Sequence, residues 1–83
     1  MKRQQILEDI VKERKRQEEL HGDHEHHPAI WSLIIMEELG EVARAIQKVE
    51  LGWGELDEGD DSLYDEVIQT AASLVAFAET LKK

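Results

Sequence analysis

The sequence predicts an all-α fold, a three-helix subunit whose antiparallel helices complete a helical bundle by oligomerisation. Apolar residues recur at spacings of three and four in three segments, and the helix-breaking stretches 21–28 and 52–61 separate them. The chain has 83 residues and no internal repeat, so residues 1–83 form a single domain. A domain this small buries a modest fraction of its surface, which makes association with further copies the obvious remedy.

The first helix is predicted over residues 3–20. Its first half is amphipathic, with apolar side chains at Ile6, Leu7, Ile10 and Val11. Residues 12–19 contain no apolar side chain, and a polar run at helical spacing is usually a solvated face. We therefore expect Lys12, Glu13, Lys15 and Glu19 to face solvent.

The second helix is predicted from about Pro28 to about Leu51, because proline suits the first turn of a helix and glycines follow the segment. One continuous apolar stripe is expected to be its core face. The stripe consists of Ile35, Leu39, Val42, Ile46 and Val49.

The third helix is predicted to start at a capping box, Ser62 to Asp65, and to end near Leu81. Its apolar arc is wide, with Leu63, Val67, Ala71, Leu74 and Ala78 along one side and Ile68, Val75 and Phe77 on the flanks. A narrow polar stripe remains at Glu66, Gln69 and Ser73. A helix that is apolar over most of its circumference is buried on several sides, which predicts contacts with helices of another subunit.

The composition of the chain argues against several classes of function. The formal charge of −9 disfavours binding to a nucleic acid polymer, which needs clustered Lys and Arg. No cysteine is present, so disulfides and thiol chemistry are excluded. The N-terminus lacks the apolar run of a signal peptide or membrane span, which predicts a soluble, cytoplasmic protein. Acidic chains can still handle phosphates by placing divalent cations between carboxylates and substrate.

An acidic cluster on the second helix fits that chemistry. Glu37, Glu38 and Glu41 lie within little more than one turn, where they repel one another and can converge on a hard cation such as Mg²⁺. Glu66 interrupts the apolar surface of the third helix and would face the three acids across an antiparallel helix pair. The alternative interpretation is that all four are ordinary surface glutamates.

The residues that carry this cluster resemble a known family. The run Glu37-Glu38-Leu39-Gly40-Glu41-Val42-Ala43, followed by Asp65-Glu66-Val67, is similar to the motifs of the MazG-like nucleotide pyrophosphohydrolases. The resemblance covers roughly residues 28–82, and 14–17, His27-Pro28 and Trp31 are similar to smaller phage and bacterial members. It implies an all-α dimer or tetramer that hydrolyses a nucleoside triphosphate to a monophosphate and pyrophosphate, as a house-cleaning enzyme for non-canonical nucleotides.

The resemblance also assigns site residues. The Mg²⁺ ligands, for which Mn²⁺ could substitute, would be Glu37, Glu38, Glu41, Glu66 and Gln69. Gln69 stands where the family commonly has an aspartate, so metal binding should be weaker. Glu38 or Glu41 would accept the proton of the attacking water. Arg14, Arg16 and Gln17 would contact the substrate.

Lys48 could contact phosphates or pair with the glutamates, and Trp31 and Trp53 could stack a base or anchor packing.

Other functions remain open at this point. Gln69 also suits a module that binds a metal or nucleotide without turnover, and the wide apolar arc of the third helix suits a plain oligomerisation domain. The histidines of the segment 21–27 could ligate a transition metal, although their spacing matches no closed zinc pattern. Solvent-exposed or packing histidines are the alternative.

Overall fold

The computed structural model describes residues 1–22, 26–52 and 63–82. Three helices make up this part of the chain: α1 spans Lys2–His21, α2 Pro28–Glu50 and α3 Leu63–Leu81. The prediction of an all-α chain is confirmed, with each described helix boundary within one residue of the expected one. The proposed capping serine Ser62 and the second tryptophan, Trp53, lie outside the described residues.

Local sequence explains where α1 ends and α2 begins. Gly22 adopts a φ of 75°, which favours glycine, and its N–H donates to the Glu18 carbonyl. Pro28 occupies the first turn of α2, and the His27 Nδ1 accepts a hydrogen bond from the Ala29 N–H at 3.1 Å. The side chain of His27 therefore caps a backbone donor that the helix itself leaves unpaired.

Helix α3 lies between the other two. It packs against both α1 and α2, while in the described residues the Cα atoms of α1 and α2 stay more than 8 Å apart. Trp31, near the start of α2, stacks on Phe77, near the end of α3. Glu38, further along α2, bonds to Ser73, which is earlier in α3. The gap between α1 and α2 is open and has α3 as its floor.

The core is small and is centred on α3. The buried apolar residues are Trp31, Ala45, Ile68, Ala72 and Ala76, and α1 contributes none. Three of these five residues are alanines, which allow the helix backbones to approach closely but remove little apolar area from water. The single chain therefore has little hydrophobic stabilisation of its own.

The predicted core face of α2 is wrong for the single chain. Leu39, Ile46 and Val49 are 52%, 40% and 51% exposed, whereas Trp31, Glu38 and Ala45 point towards α3. At 100° per residue, the mean direction of the inward set differs by about 60° from that of the predicted five-residue stripe, whose members Ile35 and Val42 are half-buried. Helix α2 is thus turned so that a carboxylate, and not the centre of its apolar stripe, faces its neighbour.

The predicted buried face of α3 is also wrong for the single chain. Val67, Leu74 and Ala78, expected at the centre of its buried arc, are exposed, and the supposed polar stripe lies inside, with Ser73 only 5% exposed. The described residues include no helix long and apolar enough to span a membrane.

Candidate functional site

A cleft with a volume of about 470 Å³ lies between α1 and α2 above the floor formed by α3. Its walls come from all three helices and from the segment before α2. The lining residues are Glu13, Arg14, Arg16, Gln17, His21, Gly22, His26, Trp31, Ile34, Glu38, Gln69, Ser73 and Ala76. The volume is in the range of small-molecule sites, and the lining joins apolar side chains to a few polar groups, as such sites do.

Glu38 is the central acid of the cleft. Its Oε1 accepts a hydrogen bond from the Ser73 hydroxyl at 2.6 Å. Partial burial raises the pKa of Glu38 above its ordinary 4.5, the Ser73 hydrogen bond opposes that rise, and the nearby charges of Glu41, Glu13 and Glu37 add to it. The carboxylate is thus held where its negative charge is disfavoured, which is a property of many functional sites.

A second acid, Glu13, organises the α1 wall. Its two carboxylate oxygens accept from Arg16 Nε and Nη2 at 2.8 Å each, and Oε2 also accepts from Gln17 Nε2 at 3.4 Å. Gln17 Nε2 donates to the Gln69 carbonyl of α3 as well, at 3.4 Å. The expectation that Glu13 faces solvent is wrong, because its side chain is only 13% exposed.

Trp31 closes one end of the cleft. It is 6% exposed, stacks on Phe77 with a centroid distance of 5.8 Å, and meets the edge of His26 at 5.1 Å. These contacts suit the packing role of the tryptophan, since Phe77 and His26 both contact its ring. The indole Nε1 is buried, and no described residue accepts its hydrogen bond.

The cleft gathers some of the predicted site residues. The predicted residues that line it are Glu38, Gln69, Arg14, Arg16, Gln17 and Trp31. Arg14 is held by Glu79 at 2.9 Å and by Glu18 at 3.5 Å, so its guanidinium already has two carboxylate partners.

The other predicted residues lie outside the cleft lining. Glu37 is exposed, and Glu41, Lys48 and Glu66 are partly buried on α2 and α3. Within the described ranges, no three acidic or histidine side chains are grouped closely enough to hold a metal ion. His21 and His26 line the cleft but form no such group there, His27 caps α2, and His24 lies outside the described residues.

Sequence reasoning missed Glu13 and Ser73. Glu13 precedes Arg16 by three residues and Gln17 by four, a spacing that places all three on adjoining positions of a helix. That spacing was a usable signal for a side-chain network. Ser73 was noted on the polar stripe of α3, but its pairing with Glu38 depends on how α2 is turned, which spacing alone does not determine.

Comparison with known proteins adds no identification. A scan against protein-family models, a search of curated proteins and a search of solved structures each found no match.

Proposed function

We propose that the chain is a Mg²⁺-dependent nucleoside triphosphate pyrophosphohydrolase whose substrate enters the cleft between α1 and α2. The observation that carries the proposal is Glu38, a half-buried carboxylate in the cleft whose pKa is raised by burial and by three further glutamates. An acid in such surroundings gains from a cation or a proton. The resemblance of residues 37–43 and 65–67 to the MazG-like pyrophosphohydrolases supports the same reaction.

The donor chemistry fits Mg²⁺. The ion prefers carboxylate oxygens and is usually held by one or two protein carboxylates together with substrate phosphates, not by a complete protein cage. Glu38 and Glu41, three residues apart on α2, would provide those carboxylates. Glu37, Glu66 and Gln69 would become further ligands only after side-chain movement, because the described residues hold no group of three acids close enough to bind the ion. A bound Mg²⁺ would neutralise charge on the phosphates and activate a water molecule.

The chain's own side chains would do the remaining work. Glu38 or Glu41 would take the proton of the attacking water, and a carboxylate whose pKa lies above its ordinary value is better suited to that step near neutral pH. Ser73 would keep the Glu38 carboxylate oriented. Arg14 and Arg16, which line the cleft, and Lys48 on α2 would contact the phosphate chain.

The test is pyrophosphate release from a panel of canonical and modified nucleoside triphosphates with Mg²⁺. We expect turnover in the wild-type protein and a loss of about 10²- to 10⁴-fold in Glu38→Gln, the range that a positioned base contributes. Glu50→Gln, at the exposed end of α2, is the matched control and should keep full activity. A panel without any pyrophosphate release would contradict the proposal.

A non-catalytic module for nucleotide or metal binding is the second candidate. Gln69, in the floor of the cleft, favours it, because an amide ligates Mg²⁺ without adding negative charge. Calorimetry that detects Mg²⁺-dependent nucleotide binding without product formation would support this candidate over the enzyme.

We also propose that the chain acts as a homodimer or homotetramer with an antiparallel α2–α3 pair, located in the cytoplasm. The contact pairs Trp31–Phe77 and Glu38–Ser73 support the antiparallel course, since the residue number rises along α2 as it falls along α3. The exposed apolar stripes of α2 and α3 support association. The third candidate, a plain oligomerisation domain, shares this feature but leaves the cleft without a role.

A further inference from the structure

The side-chain amide of Gln17 has a fixed orientation in the cleft wall. Its Nε2 donates to Glu13 Oε2 on the same helix and to the Gln69 carbonyl on α3, both at 3.4 Å. A carboxylate oxygen and a peptide carbonyl can only accept hydrogen bonds. Turning the amide over would place Gln17 Oε1 against two acceptors, so the neighbours select the orientation that points the NH₂ group at them.

This orientation leaves one polar atom of Gln17 for a ligand. Both hydrogens of Nε2 are used, and among the described residues no donor is bonded to Oε1. Oε1 is not a buried atom without a partner, so it is accessible while Gln17 lines the cleft. The wall therefore offers a hydrogen-bond acceptor at this point.

Two carboxylates near Gln17 add further hydrogen-bond acceptors to this part of the cleft. Glu13 lies beside it on α1 and Glu38 lines the same cleft from α2. A ligand edge that carries carbonyl oxygens would meet carboxylate and amide oxygens and leave acceptors unpaired, which is costly in a partly desolvated site. A ligand edge with two N–H hydrogens on one atom would satisfy them.

From this arrangement we infer that the cleft selects nucleotides whose base carries an exocyclic amino group, and that Gln17 Oε1 accepts a hydrogen bond from that group. The inference rests on the proposed function, because it takes the ligand to be a nucleotide. The amino group would donate one hydrogen to Gln17 Oε1 and the other to a carboxylate oxygen of the cleft. The corresponding keto base presents an acceptor at the same position and is rejected.

The experiment uses pairs of nucleotides that differ only in this group. Calorimetric affinities are measured with Mg²⁺ for the α,β-imido analogues of CTP and UTP, and of ATP and ITP, so that hydrolysis does not interfere. We expect the amino member of at least one pair to bind about tenfold or more tightly, since a site built to hydrogen-bond a ligand group discriminates strongly against its replacement. Gln17→Met should reduce that ratio to less than about threefold, a residual difference of under about 0.7 kcal/mol.

Gln5→Met is the matched control, because Gln5 lies on α1 and is exposed, and it should keep the wild-type ratio. Equal affinities within both pairs, a preference for the keto member, or an unchanged ratio in folded Gln17→Met would overturn the inference while leaving nucleotide binding established. If Gln17→Met does not fold, the wild-type ratios alone decide. Absence of binding to all four analogues would overturn the inference together with the proposed function.

Discussion

Glu38 shows how a single carboxylate can lower the stability of the fold at neutral pH. Its carboxylate faces α3 on the side of α2 that is turned inward, where three other glutamates contribute to its electrostatic environment. One neutral donor, the Ser73 hydroxyl, offsets part of this cost. A side chain that weakens the fold in this way is typical of a position kept for function, where local rules of stability are violated.

Replacement of Glu38 by glutamine should stabilise the protein at neutral pH. The pKa of Glu38 is raised in the folded state, so the charged form costs stability above that pKa and the cost disappears as the pH falls through it towards 4.5. Glutamine keeps an acceptor for Ser73 and carries no charge. We expect the melting temperature at pH 7 to rise by no more than about 4 °C, because the carboxylate is only half-buried and solvent screens it.

Thermal unfolding followed by circular dichroism between pH 4 and pH 8 would measure this effect. The difference between Glu38→Gln and wild type should be largest at the upper end of this range and should close at the lower end. Glu50→Gln should track the wild-type curve throughout. A difference that grows as the pH falls would show that the sign of the Glu38 contribution is opposite to the one argued here.

At the scale of elements, α1 is held by polar contacts more than by apolar burial. None of its residues is buried, and its described links to α3 include Tyr64 with Asp9, Arg14 with Glu79, and Gln17 with the Gln69 carbonyl. Exposed ion pairs and hydrogen bonds contribute little each. The α1 wall of the cleft is therefore the part most able to move when a ligand enters.

Tyr64, the sole tyrosine of the chain, lies at a contact between α3 and α1, so its pKa indicates whether the two helices are packed together. The Tyr64 hydroxyl donates to Asp9 Oδ2, and this hydrogen bond is the main reason that the pKa of Tyr64 is raised above 10.0, with smaller contributions from desolvation and from the charges of Asp9 and Asp65. An alkaline titration followed by phenolate absorbance should therefore give a midpoint above the ordinary value. Asp9→Asn removes the charged acceptor and should shift the midpoint back towards 10.0.

A shift of the Tyr64 midpoint in Asp9→Asn, with no shift in the distant Glu50→Gln, would confirm that α1 is docked on α3 through this pair. A wild-type midpoint at the ordinary value would indicate instead that α1 is detached in solution. The Tyr64–Asp9 bond stabilises the fold fully below the ordinary tyrosine pKa of 10.0, and this contribution is lost as the pH rises from there through the raised pKa of Tyr64.

How far the sequence predicts the structure also differs between elements. Helix existence and ends followed from apolar periodicity and from Pro28 and Gly22, because these are local properties. The buried faces of α2 and α3 could not be predicted in the same way. Periodicity gives the most apolar direction of a helix, but it does not show which neighbouring element covers that direction. The motif predicts Glu38 as a site residue, whereas its pairing with Ser73 depends on the rotation of α2.

At the scale of the whole molecule, the single chain has more surface than a folded monomer of its mass should have. Its accessible surface is 6586 Å², against about 5,100 Å² expected for 9.6 kDa. Its radius of gyration is 13.9 Å, against about 12 Å expected for its length. Specific interfaces usually bury about 800 Å² on each partner, so this excess is large enough for one interface or two.

Part of the excess accessible surface lies on the apolar faces of α2 and α3 that were predicted to form the core. Leu39 and Ile46 of α2 and Val67 and Leu74 of α3 are all 40% or more exposed, and they are the residues that helical spacing assigned to the core. Burial against a second copy would make that assignment correct for the oligomer, although it is wrong for the single chain. Because the internal core is built largely from alanines, much of the stability should then come from association.

We therefore expect Leu74→Lys to convert the proposed oligomer to a single chain of 9.6 kDa, measured by light scattering coupled to gel filtration. A buried lysine without a partner is strongly unfavourable in an interface. The melting temperature of the wild type should rise with protein concentration, and that of the folded variant should not. Leu33→Lys is the matched control, because Leu33 is 63% exposed and lies about 120° around α2 from Leu39, so it should leave the mass unchanged. A wild-type protein that elutes as a single chain at every concentration, with a constant melting temperature, would rule out this interface and would require the exposed leucines to be explained within one subunit.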